Sequence, residues 1–164
     1  MQNEASVVID RPIDEVFWYT NERVAEWSKT VTSVEPLGDK QHGVGARARI
    51  CTEDGGHKME FDSVVVAWEP PTTSAVKMMS KQLDIVAHYT FEDRGGSTEV
   101  TQRSMVRGKG WVRLVMSCLG WLMKKQACKS ADNELLSLKR LLEAGAAESG
   151  ADESGTADTG AAEA

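Results

Sequence analysis

The stretch EASVVIDRPIDEVFWYTNERVAEWSK, residues 4–29, changes its period twice. EASVVID alternates apolar and polar residues as a strand does. From Pro12 the spacing turns helical: Ile13, Val16, Phe17 and Thr20 fall on one face. Pro12 suits a first helical turn, where its missing N–H is no loss. Asp14 and Glu15 are acids placed where the helix dipole favours them. Asn21 is positioned to cap a second short helix over ERVAEWSK, with Val24 and Trp27 on one face. A strand running straight into two short helices frames everything downstream.

Strands separated by turn signals come next. TVTSVEPL ends at Pro36 and Gly38, and VGARARICT is joined to HKMEFDSVVVAWE through EDGG. With Asp54-Gly55 as a two-residue hairpin turn, Arg49 faces Glu60 and Arg47 faces Asp62. Ala48 then faces Phe61, and Ile50 faces Met59. One face is ion-paired and the other apolar, and a slip of one residue would scramble both. Each exposed pair contributes about 0.2–1 kcal/mol, so the pairs specify register more than they stabilise.

EPP, residues 69–71, breaks the chain before TSAVKMMS. LDIVAHYTFED and STEVTQRSMVR form a further hairpin around RGG. With Arg94-Gly95 at its tip, Phe91 faces Thr98, Tyr89 faces Val100, Ala87 faces Gln102 and Ile85 faces Ser104. This face is expected inside, since Ile85, Tyr89 and Phe91 would otherwise be wet. Gln102 and Ser104 then point inward as well. Buried polar side chains require partners, and a polar pair among apolar neighbours suits either a ligand pocket or bonds to backbone and water. After the strands, Cys128, Ala131, Leu135, Leu138 and Leu142 step by three and four, one helix face suited to packing on a sheet. A helix from Gly110 to Glu143 would span roughly 50 Å, too long for a small domain, and Gly120 is the expected bend.

This order resembles the helix-grip plan of the SRPBCC superfamily, which includes START lipid-binding domains, birch-pollen-allergen-like proteins and polyketide cyclase/dehydrase relatives. The resemblance is carried by VVIDRPIDEVFWYTNERVAEWSKTVTSVEPL, VGARARI, VVVAWEPP, YTFEDRGGSTEVTQR and NELLSLKRLLEA, and it extends over about residues 3 to 144. It implies an α+β fold: a curved antiparallel sheet of about six or seven strands wrapped on a long C-terminal helix, with two short helices after the first strand. It also implies a hydrophobic ligand held between sheet and helix. Only some members of the superfamily catalyse reactions, and they share no universal catalytic residue.

The most apolar segment is GWVRLVMSCLGWLMKK, residues 110–125. Residues 111–123 are only 13 and include Arg113, short of the ~20 apolar residues a membrane span needs. Arg113, Ser117, Gly120 and Lys124 make one narrow polar stripe, so such a helix wants burial on more than one side. It closes the pocket, or lies on a membrane surface, or meets a partner subunit. Between Val100 and Ala131 stand seven bases and no acid, a pattern compatible with peripheral membrane contact through Trp111, Trp121, Lys124 and Lys125.

Composition narrows the remaining classes. Of 164 residues, 41% are hydrophobic and 27% charged, which suits one soluble domain. The net charge of −6 belongs mostly to residues 145–164, which hold five acids and no base and lack large apolar side chains. This end is expected to be a disordered acidic tail on a domain of residues 1–144. The first 144 residues balance 19 bases against 20 acids, which does not suit nucleic-acid binding. Three separated cysteines, Cys51, Cys118 and Cys128, indicate neither a disulfide frame nor a zinc site. His42, His57 and His88 are scattered, and no metal or other cofactor is expected. The N-terminus lacks a basic start and an apolar run, so a cytoplasmic location, with peripheral membrane contact in one reading, is expected.

The sequence therefore points to a protein that binds a small hydrophobic or lipid-like molecule. Met59, Phe61, Ile85, Tyr89, Phe91, Val100, Gln102 and Ser104 are the expected wall, with Trp111, Val115 and Leu119 on the helical lid. A cyclase/dehydratase-type enzyme in the same cavity is the main alternative, weighed against by an inward set without carboxylate or histidine. An interaction module using residues 110–125 is another. Oligomeric state is left open.

Overall fold

The computed structural model describes residues 2–110 and 131–145. Seven strands form one antiparallel sheet: β1 (Gln2–Ile9), β2 (Val31–Leu37), β3 (Arg47–Asp54), β4 (His57–Glu69), β5 (Thr73–Met79), β6 (Leu83–Asp93) and β7 (Thr98–Gly108). Two helices, α1 (Ile13–Glu22) and α2 (Val24–Trp27), separate β1 from β2. The strand order is β1-β7-β6-β5-β4-β3-β2. The first two strands in sequence thus form the two opposite edges of the sheet, and the short helices carry the chain from one edge to the other. Residues 131–145 are helical. The curved antiparallel sheet with short helices and a C-terminal helix is the helix-grip α+β fold.

The core gathers where α1 and the C-terminal helix meet the sheet. Phe17 of α1 packs edge-on against Phe91 and Trp68, each at 5.1 Å between ring centroids. Ile9, Val16 and Val100 are buried with them, as are Ala131, Leu135, Leu138 and Leu142 on one helical face. Polar contacts tie the helix to the first edge: Arg11 Nε donates to the Leu142 carbonyl at 3.0 Å, and Lys139 Nζ donates to the Val8 carbonyl at 2.6 Å. The Asp10 amide donates to the Glu143 carboxylate at 3.0 Å. Asn21 does not cap α2; its Nδ2 donates back to the Phe17 carbonyl at 2.8 Å, and α2 begins after Arg23 with no side-chain cap.

Both hairpins differ from the expected register by two residues. Ile50 pairs with Phe61 and Arg47 with Val64, while Phe91 pairs with Val100 and Tyr89 with Gln102. The cause is the second glycine at each tip. Gly55 and Gly56 both adopt positive φ (55° and 81°), as a primed hairpin turn demands at both central positions. Gly95 and Gly96 do the same at the other tip. A two-residue shift keeps every side chain on its expected face. Arg49 consequently still reaches Glu60 (3.2 Å) and Asp62 (3.8 Å).

Candidate functional site

A cavity of about 760 Å³ opens along the concave face of the sheet. Ile85, Ala87 and Tyr89 of β6 face it, beside their register partners Val106, Ser104 and Gln102 of β7. Val76 and Met78 continue the wall on β5, and Ala48, Ile50, Ser63 and Val65 on β3 and β4. Trp27 of α2 and Ala131 and Glu134 of the C-terminal helix bound it from the other side. Trp27 is held there by donating its indole N–H to the Thr20 carbonyl at 3.1 Å.

The polar groups on this wall are not equivalent. Ser63 Oγ donates to the Ala48 carbonyl at 2.8 Å, and Ser104 is hydrogen-bonded to Asn3. The Gln102 side-chain oxygen is buried and has no partner among the described residues. Beside it, burial and then the negative charge of Glu134 push the Tyr89 phenol well above its ordinary pKa, so it stays neutral and able to donate. The Tyr89 ring lies edge-on to Trp27 and stacks on Phe91, which fixes its position. Register aligns Ser74, Tyr89 and Gln102 in one row across β5, β6 and β7. The Ser74 hydroxyl, only 2% exposed, is a second buried oxygen without a partner among the described residues.

Of the expected wall residues, Ile85, Tyr89, Gln102 and Ser104 border the cavity. Phe91 and Val100 do not: they are sealed into the core beneath α1. Met59 and Phe61 share the inward alternation with Ser63 but do not border the cavity either, Phe61 being buried in its own right. Trp111, Val115 and Leu119, the expected membrane-contact residues Trp121, Lys124 and Lys125, the expected bend at Gly120 and residues 146–164 of the expected tail lie outside the described residues.

One group escaped the sequence reading. Glu22 at the end of α1 and His42 in the β2–β3 loop both line the cavity, with His42 Nδ1 2.8 Å from Glu22 Oε1. Their side chains are about half exposed, so they stand at the opening. His42 also stacks on Trp68 at 6.5 Å and meets Trp18 edge-on at 6.1 Å. The expectation of a cavity without carboxylate or histidine is therefore corrected: Glu22, Asp54, Glu134 and His42 all border it, with Arg47 as the accompanying cation. No strand alternation could reveal this, because the loop brings His42 onto α1 from outside the sheet. Among the described residues no cluster of three metal-ligating side chains occurs. Among them, too, no helix is long and apolar enough to cross a membrane.

A curved sheet and a C-terminal helix around a mostly apolar cavity define the helix-grip class of fold. The chain belongs to the polyketide cyclase / dehydrase and lipid transport family, whose model matches residues 2–143, and hence to the SRPBCC superfamily. It is similar in fold to TTHA0849 from Thermus thermophilus, at 16% identity and a TM-score of 0.73, over 88% of this chain and 99% of that one. A START superfamily protein from Mycobacterium smegmatis matches at 14% identity and a TM-score of 0.73, over 87% and 97% of the two chains. The di-domain ARO/CYC protein StfQ from the steffimycin biosynthetic pathway matches at 15% identity and a TM-score of 0.66, over 89% of this chain and 51% of that one. No curated protein matches the sequence.

Proposed function

We propose that the protein binds a small hydrophobic or lipid-like molecule in the cavity between the sheet and the C-terminal helix. The supporting observation is the cavity itself: about 760 Å³, walled by Ile50, Val76, Met78, Ile85 and Val106, and holding a Gln102 oxygen without a partner among the described residues. This size and mixture suit a small-molecule site. Each 100 Å² of apolar surface removed from water would favour binding by ~2.5 kcal/mol, less the cost of immobilising the ligand. Native mass spectrometry of the protein purified from cells should show a noncovalent adduct of a few hundred daltons. A bare mass, together with no uptake of Nile red, would count against the proposal.

The second reading is an enzyme of the cyclase or dehydratase kind in the same cavity. It is favoured by the carboxylate–imidazole pair Glu22–His42 at the opening, a group able to hold and move a proton. Product analysis with a polyketide surrogate separates the two readings. Turnover that His42→Ala or Tyr89→Phe abolishes while binding persists would establish the enzyme.

A further inference from the structure

Resting on the proposed cavity binding, we infer that the ligand is an apolar molecule carrying a neutral hydroxyl group, an alcohol or a phenol, seated between Tyr89 and Gln102. Those two residues are direct register partners on β6 and β7, both on the cavity wall. Cross-strand partners hold their Cβ atoms about 5 Å apart, so the two side chains leave the wall from neighbouring points. The phenol of Tyr89 offers a proton, and the buried oxygen of Gln102 has no donor among the described residues. A hydroxyl oxygen accepts from the first and its hydrogen goes to the second, so one group satisfies both. A ketone or ester carbonyl accepts from Tyr89 and leaves Gln102 unpaired. A carboxylate does the same, and adds charge. Glu22, Asp54 and Glu134 line this cavity against a single arginine, Arg47, among the described residues. Glu134 lies near enough to bear on the Tyr89 phenol. An anionic head group placed at Tyr89 therefore meets a like charge in a poorly solvated setting. The two wall hydroxyls of the neighbouring strands, Ser63 and Ser104, already have partners.

The test compares three ligands that share one apolar body: 1-decanol, decanoate and decane, each displacing Nile red from the full chain at about pH 8. Decanol should bind about tenfold tighter than decane, the gain of a satisfied buried pair, and tighter still than decanoate. In Gln102→Leu the decanol-to-decane ratio should collapse toward one, and Tyr89→Phe should lower it independently. Decanoate binding as tightly as decanol, or an unchanged ratio in both variants, would overturn the hydroxyl inference while leaving the cavity reading intact. No displacement by any of the three would overturn both.

Discussion

Strands β6 and β7 lead from a filled end to a hollow one. At the filled end Phe91 and Val100 pair with each other and are buried against Phe17, with Leu138 and Leu142 of the C-terminal helix in the same cluster. Four residues further along, the pair is Ala87 with Ser104, and that pair borders open space. The helix changes in step, from Leu138 and Leu142 at the solid end to Ala131 and Glu134 at the cavity. The same two strands and the same helix thus make both a packed core and a void, and side-chain volume decides between them. Interiors normally close-pack. A void persists here because Ala46, Ala48, Ser63, Ala87 and Ser104 are too short to fill it.

The contrast predicts unequal responses to truncation. Phe91→Ala at the filled end should cost about 3–5 kcal/mol, the loss of a buried aromatic plus the hole left behind. Ile85→Ala at the hollow end should cost less than about 2 kcal/mol, since the residue already faces empty space. Urea denaturation of both variants measures the gap, and equal losses would mean that the hollow end is packed after all.

A smaller effect probes the polar row between the two ends. The Ser74 hydroxyl is buried and unpartnered among the described residues, so Ser74→Ala should raise stability by about 1 kcal/mol. A lower melting temperature would show instead that the hydroxyl is bonded.

The smallest effect belongs to the rim of the filled end. The Asp10 amide and then Lys139 hold the Glu143 carboxyl below its ordinary pKa. A depressed folded pKa contributes stability above the ordinary value, about 4.3, and loses it as pH falls through the folded value. Glu143→Gln should therefore flatten the acid limb of the stability–pH curve by a few tenths of a kcal/mol, as befits a partly exposed group. An unchanged acid limb would remove this contact from the account.

The two ends also differ in how far the sequence foretells them. Alternation along LDIVAHYTFED and STEVTQRSMVR places Ile85, Tyr89 and Gln102 inside, because a strand's faces depend only on odd and even positions. Partners depend on where the turn is centred, and the tandem glycines at 55–56 and 95–96 allow two answers that differ by one residue per strand. The structure takes the second, so Phe91 meets Val100 rather than Thr98. Hollowness is less legible still: nothing in the pattern distinguishes Phe91, which ends up sealed, from Ile85, which borders space. The Glu22–His42 contact joins residues twenty positions apart through a loop without periodicity, and only the folded chain reveals it.

Filling the void tests the central claim most directly. Ala87 is 4% exposed and borders the cavity, so Ala87→Phe should occupy the space a ligand would use. Nile red titrated into the wild type should bind in a single saturable site with blue-shifted emission, and Ala87→Phe should abolish that signal while circular dichroism still reports a folded sheet. Undiminished dye binding by a folded Ala87→Phe variant would contradict a ligand site beneath the C-terminal helix.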